Sequence, residues 1–149
     1  MKTLLKIAID SNAAKTLMEH YGADVYERVA QQSWQVYLPV IVYAEQAVWK
    51  GHAVMAIVDG LQAQVVSLHQ GHADELGRMW DRLRAAPRRG ETPQELWRRH
   101  KCDWLIAAMV KHEGWLLVSD DTDFQRIKDD VGLQVIKLDE FIKSYLSAA

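Results

Sequence analysis

The stretch CDWLIAAMVKHEGWLLVSDDTDF, Cys102 to Phe124, decides the fold. After Asp103, seven residues from Trp104 to Val110 carry no polar side chain. A helix that is apolar all round is a buried helix, so Cys102–Gly114 is expected to be one. WLLVS then reads as a strand, apolar enough for the interior of a parallel sheet. Three aspartates within four positions follow it: Asp120, Asp121 and Asp123. DTDFQRIKDD opens another helix. A core helix and a core strand are thus edged with negative charge.

The same alternation extends in both directions. LLKIAID is a short β-branched apolar run and predicts the first strand. Asn12 is placed to cap a helix reaching roughly Tyr21. Gly22 breaks it, and a second helix is expected as far as about Ser33. QVYLP predicts the second strand. VIVYAEQAVWKG predicts a helix ending at Gly51, followed by another over about Ala53–Gln62. QVVSL predicts the third strand, and a long helix covers about Ala73–Ala85. PRRGETP is a loop. Thr92, Pro93 and Glu95 then form a helix start with a capping box. LQVIKL predicts the fifth strand and DEFIKSYL a terminal helix. Strands alternating with helices imply a mainly parallel five-stranded sheet in an α/β chain of one domain, 1–149, with helices on both faces.

Composition is consistent with this. The chain has 149 residues, 49% hydrophobic and 26% charged, with a formal net charge of −2. That length suffices for one domain with a sizeable core. The single cysteine, Cys102, forms no internal disulfide, which fits a reducing compartment. The opening MKTLLKIAID lacks the long apolar core of a signal peptide, and no run approaches the ~20 apolar residues of a membrane span. A cytoplasmic protein without a membrane partner is the expectation. Charge is uneven: Arg82–Lys101 carries +5, leaving −7 for the rest. Such a strip is either a solvated helical hairpin or a surface for a polyanion.

In open α/β sheets, ligands bind beyond the carboxyl ends of strands, where strand order reverses. Asp10 ends the first strand and Asp120, Asp121 and Asp123 follow the fourth, so these acids meet if the two strands are neighbours. Glu45 has Ile41, Val42, Val48 and Trp49 as its same-face helical neighbours. That places a carboxylate on a stripe expected to face the core. Asp103 begins the buried helix. Carboxylates brought together repel and take up protons unless a cation neutralises them. Oxygen-only ligands favour Mg2+ or Mn2+. Such an ion lowers the pKa of a bound water and stabilises charge on a phosphoryl oxygen. An acidic centre beside a basic strip therefore points to phosphodiester hydrolysis.

Four of these motifs, in this order, resemble the PIN-domain family and in particular the VapC-type ribonuclease toxins. They are IAIDSN, YAEQAVWKG, DWLIAA and SDDTDF, spread over about Ile7–Leu138. The resemblance implies a three-layer α/β/α sandwich. It implies that Asp10, Glu45, Asp103 and Asp121 form the catalytic acidic quartet, with Asp123 as a further metal-binding acid beside Asp10, Asp103 and Asp121. Ser11, Asn12 and Ser119 would shape the site. Dependence on Mg2+ or Mn2+, an RNA substrate, a homodimer and a cognate antitoxin are further implications. Asp120 is an extra acid that leaves the assignment within DDTD open.

Other residues are weaker candidates. Arg88, Arg89, Arg98 and Arg99 are placed to contact phosphates. Trp97 is expected in core packing, with base stacking as the alternative. His20, His52, His69, His72, His100 and His112 are read as scattered surface residues; His69 and His72 could form a metal pair, but nothing in the sequence supplies partners. A receiver-type domain is disfavoured because no aspartate follows the third strand, although Lys137 follows the last. A dehalogenase-type phosphatase wants an aspartate where Asn12 stands. A non-catalytic interaction module remains the competing reading.

Overall fold

The computed structural model describes residues 5–20, 34–85 and 92–146. Its elements are β1 (Leu5–Ile9), α1 (Ser11–His20), β2 (Trp34–Pro39), α2 (Val40–Lys50), α3 (Val54–Leu61) and β3 (Gln64–Val66). Then come α4 (Gln70–Ala85), α5 (Pro93–Arg99), α6 (Lys101–Glu113), β4 (Leu116–Val118), α7 (Thr122–Val131), β5 (Val135–Ile136) and α8 (Leu138–Phe141). The helix expected to end near Ser33 and most of the PRRGETP loop lie outside the described residues.

Five strands form one sheet in the order β3-β2-β1-β4-β5. Every pairing is parallel. Ile7 pairs with Val36 on one side and Leu116 on the other, so β1 is central. The chain moves outward through β2 and β3, then returns to lay β4 on the other side of β1. That reversal sets the crevice between the ends of β1 and β4.

Side chains alternate between two cores, as a pleated strand requires. Ile7, Ile9, Val36 and Val118 pack with Ala13, Ala14 and Leu17 of α1, Leu61 of α3 and Phe141 of α8. Ala8, Leu38 and Leu117 face the other way, onto Met79 and Leu83 of α4, Met109 of α6 and Phe124 and Ile127 of α7. The α6 helix lies deepest: Trp104, Ile106, Ala107, Ala108, Met109 and Val110 are all buried. The expected α/β/α sandwich is therefore the observed one.

Several element ends differ from expectation for local reasons. α4 starts at Gln70, before Ala73, because His69 and His72 supply its caps. The nitrogen Nδ1 of His69 accepts the Gly71 N–H at 3.0 Å, and Nδ1 of His72 accepts the His69 N–H at 3.2 Å. β5 stops at Ile136 because Leu138 begins a helix and is buried against α1 and Phe141. The terminal helix runs from α8 into a π-type turn over Ile142–Leu146. The capping box at Thr92 is formed in full. Gly114 and Gly132 close α6 and α7 with φ of 71° and 75°, a left-handed conformation that glycine adopts without steric cost.

Candidate metal centre

β1 delivers Asp10 to the switch point. Its N–H still joins the sheet, donating to the Val118 carbonyl at 3.3 Å. Its side chain is almost fully buried. Oδ1 accepts the Ala13 N–H at 2.8 Å, so Asp10, rather than Asn12, caps α1. Oδ2 accepts the hydroxyl of Ser119, which is fully buried at the end of β4. The Ser119 hydroxyl oxygen in turn accepts the Asp121 N–H at 3.1 Å. Asp121 caps α7, its Oδ1 accepting the Asp123 N–H at 2.9 Å. One hydrogen-bonded chain thus fixes two acids that stand 111 positions apart in the sequence.

Glu45 reaches the same place from α2. Its Oε2 accepts the Ser11 hydroxyl at 3.0 Å, and Gln46 Nε2 donates to the Ser11 carbonyl at 2.9 Å. The expected core-facing stripe around Glu45 needs correction. Val42 and Gln46 are the buried residues of α2, whereas Val48 and Trp49 are 85% and 78% exposed. Glu45 lies at the edge of the buried face, which lets its carboxylate meet the crevice without being sealed in the core.

Asp10, Glu45, Asp103 and Asp121, with Ser11 and Asn12, line one hollow of about 70 Å³ whose apolar wall is Ile106 and Phe124. All four acids expected to converge do so. Asp120 does not line it: its Oδ1 accepts the Leu138 N–H at 2.9 Å and caps α8. Asp123 stands beside the hollow, 3.2 Å from Nδ1 of His100. His100 also lies 3.5 Å from Asp103. Read as a scattered surface histidine, it is instead part of this centre. The only hint in sequence was its place three residues before Asp103.

The electrostatics are those of uncompensated charge. Burial pushes the Asp10 carboxyl up to about 6, against the lowering effect of the Ser119 and Ala13 hydrogen bonds; Asp121 and Asp120 raise it further. Burial likewise raises Asp103 to about 6, with Asp121 adding to the rise and His100 opposing it. Burial, Glu45 and Asp103 raise the neighbouring Cys102 thiol. Two carboxyls near a pKa of 6 in one small hollow fit a divalent cation held by hard oxygen donors. The residues present therefore fit a divalent cation held by oxygen donors.

Other expected contacts are distributed differently. Arg98 and Arg99 are exposed on α5, next to His100; Arg88 and Arg89 lie outside the described residues. A larger cavity of about 600 Å³ opens between α4 and α5, lined by Trp80, Trp97, Arg84 and Arg98. It has no carboxylate in its lining, so its size does not make it the metal centre. Trp97 is half-buried, edge-on to Trp80 at 6.0 Å, and Trp80 is edge-on to Trp104 at 5.3 Å. This is core packing, as expected.

The surface reading of the histidines fails again at His72, which is buried. His72 and His69 stack at 3.7 Å and turn Nε2 toward Glu113 Oε1, at 2.8 and 3.4 Å. His112 crowds both rings, and a Cβ at Gly71 would lie 2.8 Å from the His112 ring and 2.9 Å from the His69 ring, so a larger residue there would have to displace them. Because both Nδ1 atoms accept main-chain N–H groups, both ring protons sit on Nε2 and point at the carboxylate. Burial acts to raise the Glu113 carboxyl, but the His72 and His69 hydrogen bonds outweigh it and hold the group below its ordinary range. The cluster ties the start of α4 to the end of α6; a cation on Nε2 would force protons onto Nδ1, against those N–H groups.

No protein-family model and no curated protein matches the chain. Solved structures do. VapBC-1 from nontypeable Haemophilus influenzae is similar with a TM-score of 0.62 at 20% identity, covering 91% of this chain and 99% of that one. DNA-bound VapBC from Salmonella typhimurium gives 0.61 at 19%, with coverage of 91% and 99%. VapBC2 from Rickettsia felis, bound to a DNA fragment from its promoter, gives 0.58 at 17%, with coverage of 89% and 98%. At such identities the likeness establishes the fold, which is the VapC-type PIN fold.

Proposed function

We propose that this VapC-type PIN fold is a divalent-metal-dependent endoribonuclease, the toxin of a toxin–antitoxin pair. The observation that carries the reading is the convergence of Asp10, Glu45, Asp103 and Asp121 on one hollow at the strand switch point. Mg2+ or Mn2+ held by Asp10, Asp103 and Asp121 would supply an activated water and charge neutralisation at a scissile phosphate. The chain's own part is positioning. Ser119 and the Ala13 N–H hold both oxygens of Asp10 in place. Ser11 orients Glu45, which is placed to ligate or to hold the attacking water. Asn12 is exposed at the rim, open to substrate. Arg98 and Arg99, exposed on α5 in the two positions before His100, are the candidate phosphate contacts that support RNA over a small phosphoester.

The partners follow from the neighbours and from the surface. The similar structures are VapBC complexes, which supports a cognate antitoxin for this chain. Val48, Trp49 and Met55 are exposed apolar residues of α2 and α3, and we read them as surface offered to a partner protein. A homodimer would use it. Among the described residues no helix is long and apolar enough to cross a membrane; cytoplasmic residence is proposed from the lone cysteine, which suits a reducing compartment.

The test is cleavage of structured RNA by purified protein with Mg2+, with Mn2+ and with EDTA, alongside Asp103→Asn. Cleavage that needs the ion and vanishes in the variant is expected. Cleavage that continues unchanged under EDTA and in the variant would refute the mechanism. A binding module without catalysis would show no cleavage and no effect of the metal on melting.

A further inference from the structure

The centre contains one group that an oxygen-only cation site does not use. His100 stands at the junction of α5 and α6. Its N–H donates to Leu96 at 3.2 Å, closing α5, and its carbonyl accepts the Trp104 N–H at 2.9 Å, opening α6. Two helices therefore hold its backbone from both sides. The side chain is turned inward, 22% exposed, and presents Nδ1 to Oδ2 of Asp103 at 3.5 Å and Oδ2 of Asp123 at 3.2 Å. One ligand atom from each of the three residues lies within 4.8 Å of the others. Asp103 also lines the carboxylate hollow, whereas Asp123 and His100 do not. Asp103 thus stands between an all-oxygen set (Asp10, Glu45, Asp121) and a mixed set (Asp123, His100).

We propose that His100 is a nitrogen ligand to a divalent cation held with Asp103 and Asp123, so that this flank of the centre selects Mn2+ over Mg2+. The inference rests on the metal-centre reading above. Magnesium takes oxygen ligands and demands a tight octahedron. An imidazole nitrogen suits first-row transition ions better than Mg2+; Mn2+ is the weakest nitrogen binder among them, but it accepts a mixed nitrogen and oxygen set where Mg2+ keeps to oxygen. With Nδ1 on the ion, the ring proton resides on Nε2. A simple ion pair would also bring an imidazolium to these two acids, and the two cases differ in whether nitrogen touches the metal.

That difference is measurable directly. Mn2+ is added to chelator-stripped protein, and pulsed electron paramagnetic resonance records whether a 14N nucleus couples to the bound ion. Wild type, His100→Gln and His69→Gln are compared, the last because His69 offers an exposed imidazole beside a different carboxylate, Glu113. Melting in chelator shows that each variant is folded. The expected result is nitrogen coupling in wild type and His69→Gln that is absent in His100→Gln. Mn2+ affinity should fall about tenfold or more in His100→Gln, a scale that even outer-shell partners of a metal reach, with Mg2+ affinity changed less than about twofold. Bound Mn2+ that Asp10→Asn removes, but that shows no nitrogen coupling in wild type, would overturn the His100 assignment and leave the nuclease reading standing. Coupling lost in His69→Gln instead would also overturn it. Failure of the wild type to bind Mn2+ at all would sink both.

Discussion

Replacing Asp10 by asparagine should stabilise the metal-free protein at neutral pH, although it removes a residue assigned to the active centre. The Asp10 carboxyl holds its proton to about pH 6 in the fold and to 3.8 in the open chain. At 1.36 kcal/mol per pH unit, keeping it ionised at pH 7 costs the folded state about 3 kcal/mol. Asparagine carries no charge and still accepts the Ala13 N–H. Its amide cannot accept the Ser119 hydroxyl as the carboxylate does, a loss of about 1 kcal/mol. The net gain is about 2 kcal/mol, or roughly 4–8 °C in melting temperature for a domain of this size. The sign reverses with conditions. Because the folded pKa is the raised one, the penalty in wild type is complete above pH 6 and disappears as pH falls toward 3.8, so the advantage of the variant should close over that window. Mn2+ at 100 times its dissociation constant adds about 2.7 kcal/mol to a protein that binds it, and should do so for wild type alone. Thermal melts at pH 7 and pH 4, each with chelator and with Mn2+ at pH 7, test all of this. An Asp10→Asn protein that melts below wild type in chelator at both pH values would show that Asp10 carries no uncompensated charge.

Two further substitutions probe the supports of the centre. Ser119→Ala removes the hydrogen bond that most lowers the Asp10 pKa; stability at pH 7 should fall by about 1–3 kcal/mol, and the pH window over which stability is lost should move upward. An unchanged pH profile would argue against the Ser119–Asp10 contact. Trp104→Ala empties a fully buried site behind Asp103 and should cost about 3–5 kcal/mol in chemical denaturation; a loss below about 1 kcal/mol would mean that α6 is not the core helix described.

How much of this could be read from sequence depended on whether the signal was local. The parallel sheet was legible because alternating apolar runs and helical spacing are local patterns, and the capping box at Thr92 was visible for the same reason. Asp10, Asp103 and Asp121 were legible because each sits at an element boundary, and topology fixes where boundaries meet. The orientation of Glu45 was read from four apolar neighbours, two of which proved exposed; sequence does not separate an apolar residue that faces the core from one that faces solvent. Asp120 and Asp121 differ by one backbone step, which sends one carboxylate to Leu138 and the other to the hollow. The histidines were missed because their partners come from other elements: Glu113 across from α4, and Asp123 across the centre from His100.

The two histidine groups also show why this centre is built as it is. At the C-terminal end of α6, imidazoles and a carboxylate satisfy one another and lock two helices together. At its N-terminal end, about 15 Å away at 1.5 Å per residue, five carboxylates face one imidazole and cannot all be satisfied by the protein. The buried run from Trp104 to Val110 joins the two ends. Packing on that run keeps the acids from moving apart to relieve their repulsion. A rigid core helix with one satisfied end and one unsatisfied end is thereby a scaffold whose excess charge at neutral pH invites a ligand, and a divalent cation is the ligand that its donor atoms fit.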